Sequence, residues 1–433
     1  AAGAVIKQEI SADFVTVSVP AGREEEAGRL LVARGAVQSA EEDVIRQPYF
    51  IPNDEYYQQA QWNLRLIQAE QAWDISRGAG VTVAVLDTGV AYEDYTDPAT
   101  STHYGEAPDL AGTQFVGALD AHDNDPHAND DNGHGTHVAG TIAQTTNNST
   151  GVAGMAFEAK IMPVKVCGSL VPPNVPYGCL VSDIAEGVVY AVNNGADVIN
   201  LSLGADQKIT KVEREAFEYA AAASVVVVAA AGNSYDKDGN PDGHPYLQYP
   251  AALESVIAVG AARTTGERAP YSDYGLGDGG KIVDLVAPGG DYDEPSFILQ
   301  NSYWDLCESK PRVEDFTKFY YCYQYGTSMA AAHVSGVAAL IRSAYPQLSA
   351  SQVRTVLRCS ARDVGIPGDD LEHGDGLLQA YTAMLDDDHD GTPNCVDLVF
   401  DTPTPTPAPD CATPLPATPT PMPAETPSPT PTE

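Results

Sequence analysis

Polar residues stand where several apolar runs of the chain give out, and their types suit one kind of chemistry. Asp87 closes "VTVAVLD" (81–87), with Thr88 and Gly89 turning the chain behind it. His134 lies between two glycines in "DNGHGTHVAGTIA" (131–143), Asn233 follows "VVVVAAAG" (225–232), and Ser328 opens "GTSMAAAHVSGVAALI" (326–341). A serine hydroxyl becomes a nucleophile when an imidazole takes its proton, and a carboxylate can hold that imidazole in one tautomer. The first turn of a helix offers unpaired backbone N–H groups to a developing oxyanion, and a nearby amide side chain adds a donor. The combination points to acyl transfer. Plainer roles exist for each residue alone: Asp87 as a turn or helix cap, Ser328 as a helix cap, His137 as a packed neighbour. Zinc on His134 and His137 is disfavoured, because the segment lacks the Glu of the HExxH pattern.

These residues need a scaffold that brings strand ends together. Val334, Val337, Ala338 and Ile341 recur at helical spacing with small residues between them, which predicts a buried helix behind Ser328. "VTVAVLD", "KIMPVKV" (160–166), "ADVINLSLG" (196–204), "SVVVVAAAG" (224–232) and "SVIAVGAA" (255–262) read as continuous apolar strands. Helical stretches such as "SDIAEGVVYAVNNG" and "EREAFEYAAAA" separate several of them. The expected fold class is α/β, a mostly parallel central sheet with helices on both faces, whose function collects at the carboxyl ends of the strands.

The 433 residues, 43% of them hydrophobic, suffice for one large domain with appendages. With 23 basic against 60 acidic residues the net charge is −37, which repels phosphate backbones and excludes nucleic acid as a partner. The longest apolar run, 224–232, is too short for a membrane-spanning segment. Among the seven cysteines, the pairs Cys167/Cys179 and Cys307/Cys322 bracket short loops and read as local disulfides of an exported protein, with Cys359, Cys395 and Cys411 undecided. Residues 13–47 read as strand, helix, strand. Residues 402–433 alternate Pro with Thr or Ser, which forbids a packed core and makes a disordered, extended linker or stalk. The chain has no initiator Met or leader, so a signal peptide is expected to have been removed, and the stalk is expected to lead on to an anchor or another domain.

In this order, "AVLDTGV", "GHGTHVAGTIA", "LSLG", "AAAGN", "VAPGG" and "YGTSMAAAHVSG" resemble the successive signature segments of the subtilisin-like serine proteases, the subtilases, and their spacing is most similar to the thermitase branch. The resemblance covers residues 51–385, and the order Asp, His, Ser is that of subtilisin. It implies Ser328 as nucleophile, His134 as general base and then acid, Asp87 as its partner, and Asn233 with the Ser328 N–H as oxyanion donors, Thr327 assisting. It places an extended peptide substrate between Ser202-Leu203-Gly204 and the strip ending at Gly178-Cys179. Ala229, Ala230, Ala231 and Gly232 become the walls of a pocket for large hydrophobic or aromatic side chains before the scissile bond. The insertion at 235–248 reaches the pocket's base, and the loops at 167–179 and 291–325 are expected to rim the cleft. Ala332 stands where the family carries Pro.

The resemblance also assigns the acidic residues. Asp120, Asp123 and Asp125, with the His127 carbonyl and Asn129, match a thermitase-type calcium loop. The Thr145, Thr150 and Val152 carbonyls with the Asn148 side chain match a second, completed by Asp54 and Asp109. Apart from the family, "DDDHDGTPNCVD" (386–397) sets Asp386, Asp388, Asp390 and Asp397 at EF-hand-like positions, with Asp where the hand uses Glu. Residues 1–50 resemble the C-terminal part of an inhibitory propeptide, an intramolecular partner cut away near residues 49–52, its first half lying upstream of Ala1. The implied division is propeptide 1–50, catalytic domain 51–385, acidic loop 386–401 and stalk 402–433. The implied protein is a secreted, monomeric, Ca²⁺-stabilised endopeptidase acting on proteins and peptides. The competing reading is a calcium-dependent surface-binding protein that kept this fold and lost activity.

Overall fold

The computed structural model describes residues 5–9, 14–20, 23–41, 50–169, 177–234, 243–292, 296–308, 313, 315–388 and 390–400. At the amino end, β1 (Val5–Glu9) pairs antiparallel with β2 (Val15–Ser18), and α1 (Glu24–Ala33) follows. β2 and α1 lie where the sequence predicts them. β1 precedes residues 13–47; of the stretch after α1, where the second strand is expected, residues 35–41 form no strand and 42–47 lie outside the described residues.

The main body alternates strands and helices. In chain order these are β3 (Thr82–Asp87), α2 (His134–Ala143), β4 (Lys160–Lys165), α3 (Val181–Asn193), β5 (Val198–Leu201), α4 (Lys211–Ala222), β6 (Val226–Ala230), β7 (Ile257–Ala262) and β8 (Leu285–Pro288). They build an eight-stranded sheet in the order β8-β7-β6-β5-β3-β4, completed at the β4 edge by Gln114–Phe115 and Leu119–Asp120. All of its ladders are parallel, which agrees with the expected fold class. Alternate side chains bury opposite faces. Val83, Val85, Val228 and Val259 pack with Val138 and Ile142 of α2 and with Val334 and Val337 of the long helix α5 (Thr327–Ala344). Ala84, Leu86, Ile199, Leu201 and Val227 pack with Ile184 and Val188 of α3 and Phe217 of α4. Both faces are apolar, so the strands read as continuous hydrophobic runs.

The segment 291–325, expected as a loop at the cleft, folds as an antiparallel hairpin of β9 (Ile298–Tyr303) and β10 (Phe319–Gln324), joined by Cys307–Cys322 and packed against α2. Its aromatic residues drive this: Tyr303 is fully buried and stacks on Phe319 with ring centroids 5.0 Å apart. α5 runs unbroken through Ala332, consistent with the absence of Pro there. After α6 (Ala350–Cys359), the acidic segment read as a loop over 386–401 is a turn followed by α7 (Asn394–Phe400), tied to α6 by Cys359–Cys395. Cys167–Cys179 forms as expected, and Cys411 and the stalk lie outside the described residues. Among the described residues no helix is long and apolar enough to cross a membrane.

Candidate active site

Strand register brings the candidate residues together. Leu86 pairs with Leu201, and Leu201 with Ala229, across β3, β5 and β6. One residue beyond each of the first two lie Asp87 and Ser202, side by side at the carboxyl edge, and Asn233 follows the end of β6. Neighbouring strands are about 4.8 Å apart, so all three reach one crevice. α2 and α5 deliver His134 and Ser328 in their first turns to the same edge. Gly135 permits that approach: a β-carbon there would lie 2.1 Å from the Gly89 carbonyl oxygen and 3.1 Å from Asp87 Cβ.

Asp87 is 2% exposed, and its Oδ1 accepts the Thr88 N–H at 2.8 Å and meets His134 Nδ1 at 2.7 Å. That contact makes Nδ1 the protonated ring nitrogen and leaves Nε2 to act as a base. Burial alone would lower the His134 pKa, but the charge and hydrogen bond of Asp87, with Asp130 behind, outweigh it and hold the imidazole above its usual value. Asp130 was not singled out from the sequence. Its buried Oδ1 accepts from Thr88 Oγ1 (2.8 Å) and from the Asn132 and Gly133 N–H groups (2.9 Å each). Its Oδ2 accepts from the N–H and hydroxyl of Thr136, at 2.9 and 2.5 Å. One carboxylate thus ties the end of β3 to both sides of His134. The hairpin holds the same loop from behind, Ser302 Oγ donating to the Gly133 carbonyl at 2.7 Å and Tyr303 Oη to the Asp130 carbonyl at 3.0 Å.

Ser328 and Ser202 are joined twice: Ser328 Oγ donates to the Ser202 carbonyl at 3.1 Å, and Ser202 Oγ to the Ser328 carbonyl at 2.8 Å. The Ser328 hydroxyl is therefore bonded to Ser202, and the hydrogen bond to His134 is one that commonly tightens only with substrate bound. Asn200, also missed, donates from Nδ2 to Ser202 Oγ at 3.0 Å and accepts from Ser335 Oγ at 2.8 Å. Gly326 before the helix has φ +151°, ψ 164°, a conformation open essentially only to Gly. Asn233 Oδ1 accepts the N–H and hydroxyl of Thr327 at 3.0 and 3.1 Å. This commits the carbonyl end of its amide to the helix and leaves Nδ2 as a donor beside the first-turn Ser328 N–H, which the helix does not consume.

The candidate substrate strips are arranged unequally. Leu203 and Gly204 make no backbone hydrogen bonds among the described residues, while Gly178 pairs with Gly168 and Cys179 with Cys167. Tyr177, one residue before Gly178, donates its hydroxyl to Asp131, which also receives Lys165 Nζ at 2.9 Å. Ala230 and Ala231 are 4% and 0% exposed, so their side chains belong to the core and only backbone and Gly232 remain as wall.

Of the expected cation ligands, Asp54 and Asp109 converge on the loop 145–152. Asp54 Oδ2 accepts the Asn147 N–H at 2.8 Å while its buried Oδ1 accepts nothing among the described residues. Asp109 is fully buried, receives the Val152 N–H at 3.1 Å and Asn148 Nδ2 at 2.8 Å, and burial pushes its pKa up to about 6. Asn148 thus turns its nitrogen, not its oxygen, to the carboxylate, and Thr145 reaches Asp109 through its N–H, bonded to the Asp109 carbonyl at 3.2 Å. In the loop before His134, Asp120 Oδ1 caps the Asp123 N–H (2.8 Å), Asp125 Oδ1 caps the His127 N–H (2.7 Å), and the buried Asn129 Oδ1 has no partner among the described residues. Burial raises Asp120 to about 6 as well. Desolvated carboxylates and orphaned oxygens facing one loop suit a hard cation with oxygen ligands. Among the described residues, only Asp386, Asp388 and Asp390 bring their ligand oxygens within 4.8 Å of one another. Asp397, in the first turn of α7, is not one of these three.

With this geometry in hand, the likeness to known proteins is specific. The profile described as "Subtilase family" matches residues 78–376. A thermophilic serine proteinase from Bacillus sp. (strain AK1) is 40% identical over 311 residues, 71% of this chain and 63% of that protein. Thermitase from Thermoactinomyces vulgaris is 36% identical over 335 residues, 77% of this chain and 99% of thermitase. Among solved structures, a protease from Pseudoalteromonas arctica superposes with a TM-score of 0.63 at 31% identity, covering 77% of this chain and 98% of its own.

Proposed function

The chain belongs to the subtilase family of serine proteases, on its thermitase-like side, and from that premise we propose that it is a secreted endopeptidase whose Asp87, His134 and Ser328 form one catalytic unit. The 2.7 Å Asp87–His134 contact at the foot of the Ser328 helix carries this reading. Ser328 Oγ attacks the scissile carbonyl carbon as His134 Nε2 takes its proton. The oxyanion accepts hydrogen bonds from Asn233 Nδ2 and the Ser328 N–H, and the C–N bond then breaks as His134 hands the proton to the leaving amine. An acyl-enzyme remains. Water, deprotonated by the same imidazole, attacks it, and Ser328 recovers its proton as the acid leaves. Asp87 stays ionised throughout, holding the tautomer and balancing the imidazolium.

Protein and peptide substrates lie extended beside Ser202, Leu203 and Gly204, where the backbone groups of Leu203 and Gly204, unpaired among the described residues, supply a strand-like edge, with Gly178 opposite. Such binding reads main chain and tolerates many sequences. Residues 1–50 act as an intramolecular inhibitor, and the mature protein works as a monomer outside the cell, where its disulfides persist. Calcium, when bound, supplies positive charge to loops built of carboxylates. Asp54, Asp109 and the 145, 150 and 152 carbonyls would hold one ion, joined by Asn148 once its oxygen turns from the Thr150 N–H to the cation, and Asp120, Asp123, Asp125, Asn129 and the His127 carbonyl would hold another. Asp386, Asp388, Asp390 and Asp397 offer a third site.

The test is incubation with casein and with a serine-directed fluorophosphonate. Casein cleavage and a single adduct on Ser328, absent after His134→Ala, are expected. Folded protein freed of residues 1–50 that degrades no casein and takes no adduct would instead be the inactive surface-binding form.

A further inference from the structure

The end of the substrate crevice is closed by the segment around Gln248, whose backbone is tied to both walls. Gln248 N–H donates to the Ala231 carbonyl at 3.0 Å, and the next residue, Tyr249, exchanges hydrogen bonds with Ala205 at 3.0 and 2.9 Å. Its side chain lies between the glycines of the two walls. A β-carbon on Gly232 would sit 2.5 Å from Gln248 Cδ, and one on Gly204 would sit 3.1 Å from Gln248 Oε1. Any side chain entering between these strips therefore ends on the Gln248 amide.

The amide has a fixed orientation. Gln248 Nε2 donates to Asp273 Oδ2 at 3.1 Å, and a carboxylate only accepts, so the nitrogen faces Asp273 and the oxygen faces the crevice. Asp273 is fully buried, and its other oxygen receives the His244 N–H at 2.8 Å. Its own N–H donates to the Gly232 carbonyl at 2.9 Å. Gln248 Oε1 accepts no hydrogen bond among the described residues, and Gln248 as a whole is partly exposed. Among the described residues, a fixed acceptor without a partner thus stands between Gly204 and Gly232.

We propose that Gln248 is a specificity-determining residue, and that its Asp273-anchored oxygen selects, before the scissile bond, long side chains with an apolar stem and a hydrogen-bond donor at the tip. This rests on the peptidase reading above and refines the expectation of a purely hydrophobic pocket. Tyrosine meets the requirement and phenylalanine does not; lysine meets it and methionine, of similar length, does not. Binding an apolar tip there would strip water from Oε1 and return nothing.

Tetrapeptide p-nitroanilides differing only in the last residue (Phe, Tyr, Met or Lys) test this, with active enzyme counted by fluorophosphonate titration. Wild type is expected to show kcat/KM ratios of about tenfold or more for Tyr over Phe and for Lys over Met, the order one added hydrogen bond supplies. In Q248M, which keeps volume and loses the acceptor, both ratios should fall to about one with the titrated fraction unchanged. Should Q248M fail to titrate, Q248N, which withdraws the oxygen by one methylene, should lower both ratios instead. Either wild-type ratio at or below one overturns the proposal, as do ratios that survive loss of the acceptor. Enzyme that titrates and cleaves all four peptides equally would keep the peptidase reading and remove this one; failure to titrate or cleave at all removes the reading itself.

Discussion

Ser202 and Ser328 grip each other through reciprocal hydroxyl-to-carbonyl hydrogen bonds of 2.8 and 3.1 Å. The pair welds the first turn of α5 to the end of β5, and it does so where parallel-sheet register already sets Ser202 next to Asp87. The nucleophile is therefore positioned by main chain on both sides, with its hydroxyl bonded until a substrate carbonyl competes for it. Ser328→Ala should leave a folded protein and reduce kcat roughly 10⁶-fold, the order that triad removal costs a subtilisin. S328A/H134A should be no worse than either single variant. A double variant clearly below both would mean the residues do not act as one unit.

Ser202→Ala separates the two halves of that grip. The Ser328 carbonyl loses its donor and Asn200 Nδ2 loses its acceptor in a buried site, which destabilises by about 1–3 kcal/mol. Urea unfolding at neutral pH measures this. A stability equal to wild type would show that the network does not hold the helix.

Asp130 is the corresponding anchor for His134. Asn in its place keeps the shape but turns an NH₂ toward donors that Oδ1 or Oδ2 now accepts, either the Thr136 pair or those of Thr88, Asn132 and Gly133. Asp130→Asn should therefore lose about 2–4 kcal/mol of stability and lower kcat with little change in KM, since no substrate strip touches it. It should also shift the acid limb of the kcat/KM profile to lower pH, because Asp130 helps raise the His134 pKa. A merely structural role would leave that limb where it is.

How much of this was legible beforehand follows from the physics of each element. β3, β4, β5, β6 and β7 show in the sequence because both faces of a parallel sheet are buried, so apolar runs end where the strands end and Asp87 stands out. Asp130, Asn200 and Ser335 were not legible: a buried polar residue announces itself only through partners distant in sequence, and "DDNGH" offers two aspartates of which only Asp130 turns inward. The β9–β10 hairpin was hidden by its aromatic and polar mixture, whose apolar side meets α2 rather than a second sheet. Ala230 and Ala231 are small enough to suit a pocket wall or a core, and only their burial, at the end of β6 and just past it, shows that their methyl groups pack inside.

Calcium should matter first through stability. The orphaned Asp54 Oδ1 and Asn129 Oδ1 and the raised Asp109 and Asp120 mark loops that a divalent cation would satisfy. Calcium at 100 times its Kd would add about 2.7 kcal/mol by mass action. Chelation should lower the melting temperature and then the protease activity, and magnesium, which resists irregular carbonyl-rich sites, should restore little. Asp54→Asn should blunt the calcium response in differential scanning calorimetry. A melting curve unmoved by chelation, on protein shown by elemental analysis to be calcium-free, would refute the assignment.

Acid should weaken the fold through two histidines that the mechanism does not use. His137 is fully buried with Nε2 between the Ile298 and Cys322 carbonyls, 3.2 Å from each, and burial lowers its pKa to about 3. His333, also fully buried, contacts the Met329 carbonyl through Nδ1 at 2.7 Å and Asn63 Nδ2 through Nε2 at 2.7 Å, and burial lowers it to about 4. A carbonyl accepts and an amide NH₂ donates, so the proton sits on Nε2 of His137 and on Nδ1 of His333; His333, whose Nε2 accepts from Asn63, is neutral, and burial favours the neutral form of His137. Below pH 6.5 the unfolded chain protonates both while the folded chain does not, so stability is lost as pH falls from about 6.5 toward 4, by up to about 1.4 kcal/mol per pH unit for each. Asp109 and Asp120, raised when cation-free, pull the other way over part of this window, so the clean measurement is a difference. His333→Gln can donate to Met329 and accept from Asn63 without titrating. Urea unfolding of wild type and H333Q from pH 7 to 4.5, in saturating calcium, should show wild type losing one more proton's worth of slope. Parallel pH dependences would show that His333 is already protonated in the folded protein.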